Sequence, residues 1–366
     1  MLRPDQLLGY LKELAEIRAP SGLEAARASL FRKQISEFVN PEYITNDAYG
    51  NIVIRIPSGG STDANSKKIM FVGHLDEIGG TVQKILPNGR ILFQKRGGFE
   101  SRWLISQTVQ ILALSGIYHT GVIMGRTVHA IPEDLRGKPV PPVHELEIYI
   151  GAETADAVLK AGIHVGAPIV FGGGTKLLNP AIDPDLVVSN SLDDLAAMLI
   201  FLEFADRIKA NALKNPFPVE IILVAATREE IGREGSLLAA REIKPSVCIG
   251  IDFGTVEPAK GAIDCGSTLK GGPMIVWTES SGRGVFDYNL AKEFTQAGTQ
   301  AKLPFQHGVM EFYGSDAGII QSQLGIPSIL IAPPLSMGHN VPEIMALSEI
   351  GKTVDLIWAW LSQNYA

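Results

Sequence analysis

Five apolar runs in this chain end in acids or histidine. MFVG leads into His74-Leu75-Asp76-Glu77, LVVSNSL into Asp193-Asp194, and IILVAAT into Arg228-Glu229-Glu230. VCIGI leads into Asp252, and ILIAPPLSMG into His339. Open α/β sheets bind ligands outside the carboxyl ends of their strands, so five such ends point to one site. They deliver His, Asp and Glu and no Cys. That donor set is borderline-hard and suits Zn²⁺, with Co²⁺ or Mn²⁺ as alternatives. Charge favours two ions, because two divalent cations balance three carboxylates and a bridging hydroxide. A single ion would leave excess negative charge in a desolvated cleft. A carboxylate bridging ions roughly 3.5–4 Å apart is the usual two-metal arrangement.

Adjacent Glu229 and Glu230 suit two jobs, one ligating a metal while the other faces the water as general base. Asp76, two residues past His74, could accept the other imidazole N–H and fix the ligating tautomer. Each residue also has a plainer reading. Asp193 or Asp194 could cap a helix, and the sequence leaves open which does so. Glu229 and Glu230 could begin a solvated helix, where carboxylates favour the dipole. Asp252 could be structural. His339 is set off from its strand by a loop, and His307, in a Pro-Phe-Gln loop, competes with it. Asp316 either lines the site or caps a helix over residues 317–323. His119, His129, His144 and His164 read as surface or packing residues.

These ends need a sheet to position them. Residues 4–17 and 23–39 read as helices around Ala19-Pro20-Ser21-Gly22. Strands follow at 51–56 and 68–72. From residue 81 the runs are short and β-like, at 81–86, 90–94, 108–112, 121–124, 145–150 and 168–171, with the spacing of a small barrel or sandwich. After a strand at 186–188, a helix at 193–209 begins an alternation with strands at 219–226, 246–252, 274–277 and 328–332. Alternation implies an α/β fold, a mostly parallel sheet with helices on both faces. The expected organisation is a catalytic α/β domain, residues 1–80 and 181–366, interrupted by a β-rich, barrel-like domain at 81–180.

Bulk properties exclude several classes. A chain of 366 residues exceeds what one core usually organises. Hydrophobic content of 46% with 19% charged residues argues against disorder. A net charge of −7 leaves no footprint for nucleic acid or anionic lipid. Two cysteines, Cys248 and Cys265, form no CxxC pair, which argues against a disulfide framework or zinc knuckle. The first apolar stretch is broken by Asp5, Lys12, Glu13 and Glu16, unlike a secretory signal. No apolar run approaches a membrane span. A cytoplasmic protein is expected.

GHLDEIGG, SLDD, REEIGREG, GIDFG, GSDAG and the late GHN, in that order and spacing, resemble the glutamyl and deblocking aminopeptidase family of dinuclear metallopeptidases, of the tetrahedral-aminopeptidase type. Pro20-Ser21-Gly22-Leu23-Glu24, the Gly50-Asn51 turn and residues 151–171 extend the resemblance over nearly the whole chain. It implies a zinc-exopeptidase-like fold and a peptidase removing N-terminal residues. By resemblance, His74 and Asp252 bind one metal, Glu230 and His339 the other, and Asp193 bridges them. Glu229 is then the general base and Asp76 the orienter of His74. The resemblance also implies peptide substrates and a homo-oligomer, a dodecamer among the options, with the insertion shaping assembly and access. Leu195, Ala197, Arg228 and Asn340 depart from the family's usual residues, without loss of a ligand. Three other readings use the same residues: an amidase or deacylase on non-peptide amides, a metal-free glycoside hydrolase with paired carboxylates, and a non-catalytic metal-binding relative. The intact Glu229 argues against the last.

Overall fold

The structure, a computed structural model, describes residues 1–59, 67–137, 140–211, 214–256, 266–279 and 284–365. Cys265 and part of the 137–142 loop lie outside the described residues, while Cys248 is buried and free. The chain divides into two compact units. One comprises Met1–Asp76, Gly174–Gly338 and Pro342–Ala366; the other comprises Glu77–Gly173 and His339–Val341. The insertion expected at 81–180 thus differs at both ends, and three residues around His339 join the second unit.

The first unit is built on a nine-stranded sheet. Its order is Ile44–Asn46, Ile52–Ile56, Glu220–Ala226, Lys68–His74, Val247–Ile251, Ser328–Ala332, Met274–Glu279 and Gly284–Val285, with Gln306–Met310 also paired to Met274–Glu279. The centre, from Glu220–Ala226 to Ser328–Ala332, is parallel; Ile52–Ile56 and Met274–Glu279 flank it antiparallel, and Gln306–Met310 pairs in parallel with Met274–Glu279. The fold class is α/β as expected, with a sheet that is mixed once its flanks are included. Central strands are apolar throughout because both faces are covered. In Lys68–His74, Ile69 and Phe71 join one core cluster and Met70 and Val72 another. That is the two-residue period of a strand applied to two buried faces.

Helices Pro4–Glu16, Ala25–Ile35, Leu192–Ala210, Tyr288–Gln300 and Ser348–Tyr365 contribute to the first cluster; Glu234–Ile243 and Asp316–Leu324 contribute to the second. Leu192–Ala210 is buried almost all round, which explains its continuous LDDLAAMLIFLEF run. A five-stranded sheet, absent from the sequence expectation, runs Lys176–Asn179, Asp183–Ser189, Glu343–Ala346, Pro334–Ser336 and Gly254–Thr255.

The second unit is a closed six-stranded barrel ordered Gly79–Ile85, Ile91–Arg96, Glu147–Tyr149, Tyr118–Ile123, Thr108–Leu112 and Pro168–Phe171. Alternating Val109 and Ile111, with Ile91, Phe93, Ile148 and Ile169, fill its interior. Among the described residues, no helix is long and apolar enough to cross a membrane.

Candidate active site

Register assembles the site. Glu220–Ala226 pairs in parallel with Lys68–His74, with Ala226 opposite His74. Residues just past Ala226 therefore emerge beside residues just past His74. Leu75 donates its N–H to the Ala226 carbonyl at 2.8 Å. The Asp76 carboxylate then accepts the Glu229 N–H on Oδ1 at 2.9 Å and the Glu230 N–H on Oδ2 at 3.2 Å. Ser21 donates its hydroxyl to the same Oδ2 at 2.6 Å. Asn51 tightens the other side of the turn, accepting the Thr227 N–H at 2.9 Å and donating to the Gly235 carbonyl at 2.9 Å. Asp193 arrives from the five-stranded sheet, after Asp183–Ser189, so the strand ends that meet here come from two sheets.

His74 Nε2 lies 3.0 Å from Asp193 Oδ1. Ligand atoms of His74, Asp193 and Glu230 all lie within 4.8 Å of one another, a spacing that could hold a metal ion. His74 Nδ1 faces the Asp76 backbone carbonyl at 3.1 Å, with Asp76 Oδ1 slightly farther at 3.5 Å. A proton on Nδ1 would leave Nε2 able to ligate a metal. The nearest partner of that proton is thus the main chain of Asp76, while its carboxylate binds the Glu pair's backbone.

Asp194 accepts the His74 N–H on Oδ2 at 3.0 Å and the Ala197 N–H on Oδ1 at 3.2 Å. It therefore serves as the helix cap, which leaves Asp193 to face the imidazole. Asp252 is buried, and its Oδ1 accepts the Phe253 N–H at 2.6 Å. Glu343, which the sequence reading did not single out, is buried and accepts the Asp193 N–H at 3.1 Å. Arg233 was also missed: its Nε donates to Glu229 Oε1 at 2.6 Å. The i,i+4 spacing of Glu229 and Arg233 was its available signal. Glu343, 150 residues from Asp193, had no local signal.

Electrostatics mark the cluster as short of positive charge. Burial, then the neighbouring charges, pushes Asp252 well above the usual carboxylate range. Burial does the same to Asp194 and raises Glu229, against the pull of Arg233 and His74. Asp76 is the exception: burial alone would raise it, but bonds from His74, Ser21 and the Glu229 N–H hold it low. Crowded buried carboxylates with few cations fit a site that takes divalent metal. Non-glycine residues Ser191 (φ 61°), Arg228 (φ 59°) and Arg233 (φ 63°) flank the site in the left-handed region, where backbone strain commonly accompanies function.

His339 belongs to the second unit, where its Nδ1 faces the Gly98 carbonyl oxygen. His307 sits on the strand Gln306–Met310, not in a loop, and accepts from Trp277 Nε1 at 2.9 Å. Ser315, not Asp316, caps Asp316–Leu324; Asp316 is buried and accepts the Ser236 hydroxyl. His119, His129, His144 and His164 are exposed or half-buried.

A nitrogen and oxygen donor set at strand ends, with a buried carboxylate beside it, suits hydrolysis by an activated water, the chemistry of metallohydrolases. The family is narrower: the M42 glutamyl aminopeptidase model matches residues 50–356, and the chain belongs to that aminopeptidase family. SgcX of Escherichia coli is 29% identical over 97% of this chain and 93% of its own. An aminopeptidase from Desulfurococcus kamchatkensis superposes with a TM-score of 0.86 at 25% identity, covering 99% of this chain and 96% of that one. The TET1 peptidase of Pyrococcus horikoshii, described as assembling into a tetrahedron or a large octahedral shell, superposes at 0.80 with 25% identity, covering 96% of this chain and 98% of that one.

Proposed function

We propose that the chain cleaves N-terminal residues from peptides with two divalent metal ions, zinc being the best match, and Glu229 as general base. The observation that carries this reading is the trio His74, Asp193 and Glu230, whose ligand atoms lie within 4.8 Å of one another beside the buried Glu229. His74 and Asp252 would hold one ion, Glu230 would hold the other, and Asp193 would bridge. The family resemblance adds His339, which metal content of His339→Ala would decide. Bound ions there would supply Lewis acidity to the water and to the scissile carbonyl. The protein's own part is proton movement and orientation. The Glu229 carboxylate takes the water's proton and returns it to the leaving amine. Asp76 holds the Glu229 and Glu230 backbone in place, and His74 presents Nε2 because its Nδ1 proton is engaged. A closed homo-oligomer, foremost a dodecamer, completes the proposal.

The test is a scan of aminoacyl anilides with metal-replete and metal-stripped protein, alongside Glu229→Gln. Stripping should abolish hydrolysis, and re-addition of metal should restore it. Glu229→Gln should lower kcat by roughly 10²–10⁴-fold, the span of general-base catalysis, with metal content unchanged. Near-normal turnover in that variant would remove Glu229 from the mechanism.

A further inference from the structure

Glu229 is not held by its backbone alone. The short helix Glu229–Gly232 ends at Arg233, whose left-handed backbone (φ 63°) turns the chain directly into Glu234–Ile243. Glycine would take that conformation without strain, and an arginine occupies it instead. The Arg233 N–H bonds back to the carbonyls of Arg228 at 3.0 Å and Glu229 at 3.1 Å, and its own carbonyl accepts the Ser236 hydroxyl at 3.1 Å. The side chain then folds back over the turn. Its Nε meets Glu229 Oε1 at 2.6 Å, and its Nη2 meets the Gly314 carbonyl at 2.7 Å.

We propose that Arg233 is a positioning residue for the reaction: it clamps Glu229 Oε1 and so presents Oε2 for proton transfer. The proposal rests on Glu229 being the base. The guanidinium fork suits this task, because its Nε and Nη2 point in two fixed directions and satisfy a carboxylate and a carbonyl together. A lysine ammonium is a point charge and would choose between them. Burial disfavours the charge on Arg233, but Glu229, then Asp316, more than offset that and raise it. Asp316 and Glu279 also lie around the guanidinium, yet burial pushes each up to about 7. Of these three carboxylates, Glu229 is the one that accepts the Arg233 Nε–H, at 2.6 Å. The contact is also among the shielded ones, with the Glu229 side chain 7% exposed and Arg233 31%.

The test is steady-state hydrolysis of an aminoacyl anilide by the full chain, metal-loaded, as wild type, Arg233→Ala, Arg233→Lys, Glu229→Gln and the Arg233→Ala/Glu229→Gln double variant. Arg233→Ala should lower kcat roughly 10–100-fold, a part of the span open to a general base, with KM and metal content nearly unchanged. Arg233→Lys should recover part of the loss. Guanidinium ion added to Arg233→Ala should raise kcat, and should not raise it in the double variant. The double variant should be no slower than Glu229→Gln, because a residue acting through Glu229 has nothing left to act on. Wild-type kcat in Arg233→Ala overturns the proposal, as does a double variant slower than Glu229→Gln by the factor seen in the single. Loss of kcat in Glu229→Gln with none in Arg233→Ala removes this inference alone; near-normal Glu229→Gln removes the base assignment and the inference together. If Arg233→Ala does not fold, Arg233→Lys carries the test: lower kcat at unchanged KM and thermal midpoint supports the clamp, and wild-type kcat overturns it.

Discussion

At the scale of single residues, the two adjacent aspartates show how position divides identical chemistry. Asp194 uses both oxygens on backbone donors, at His74 and Ala197, while Asp193 turns its Oδ1 to the imidazole. On the proposed reading, in which Asp193 bridges two ions, Asp193→Ala should lose both. Elemental analysis finding two ions still bound would move the bridge elsewhere. Asp76 acts on more partners than its place after His74 suggests. Asp76→Asn would put an amide among N–H donors at one of its oxygens, and should lower metal affinity or activity roughly 10–100-fold, as loss of supporting bonds around a metal site does. Metal titration and anilide kinetics together would show it; unchanged values in both would mean the Glu pair holds its position unaided. The strand-end acids were legible because an apolar run that stops at His or Asp is a local pattern. Arg233 and Glu343 were not read out, since one depends on a left-handed turn and the other on a contact across the chain.

Elements position these residues only where backbones can approach. Gly73, one residue before His74, sits where an added Cβ would lie 2.3 Å from Ala197 Cβ and 2.7 Å from Asp194 Oδ2. The helix Leu192–Ala210 thus packs on the strand with no room for a methyl group. Gly73→Ala should destabilise by about 1–3 kcal/mol, the usual penalty of overpacking, and Ala197→Gly should restore part of it by removing one of the two clashes. Urea unfolding of the single and double variants checks this; additive losses would mean the two sites do not meet. Glu279, at the end of Met274–Glu279, makes a different kind of contribution. Burial lifts it from 4.5 to about 7, against the Ser315 hydrogen bond. A folded-state value above the unfolded one means its stabilisation is full below about pH 4.5 and is lost as pH rises through 7. Glu279→Gln should flatten that decline, by at most about 3 kcal/mol at pH 8, read as the urea midpoint against pH. Identical slopes in both proteins would assign the decline to other groups. Strands at 108–112, 168–171 and 328–332 were legible to the residue because each is a bounded apolar or alternating run. Gln306–Met310 was not, since Gly308 and two polar residues interrupt its pattern. The five-stranded sheet joins segments far apart in sequence, which no local period reports.

At the scale of the whole molecule, an exposed strand edge near residues 107–114 would be a reason to associate, and the barrel offers none there. Thr108–Leu112 pairs with Tyr118–Ile123 on one side and Pro168–Phe171 on the other, and barrel closure leaves it no free edge. Side chains supply a better one. Leu114 is 79% exposed, Ile117 60%, Leu159 54% and Val165 62%, all on the barrel unit. The Leu114 N–H bonds the Gly162 carbonyl at 3.1 Å, which brings the hairpin tip against the chain leaving Ala155–Lys160. Four large apolar side chains exposed on two segments joined by that hydrogen bond are candidates for an interaction surface. The proposed homo-oligomer supplies the occupant, a second copy of the chain. Homo-oligomers are normally closed and symmetric, so light scattering should show one discrete species. Leu114→Asp with Ile117→Asp should convert it to smaller species, because each such side chain contributes about 1.5–3 kcal/mol when buried and a closed assembly repeats the loss at every copy of the contact. Anilide hydrolysis in the smaller species should persist, since none of the four residues belongs to the candidate site. A monomer in the wild type would refute assembly outright. A variant that stays at full size would place the contact on another surface.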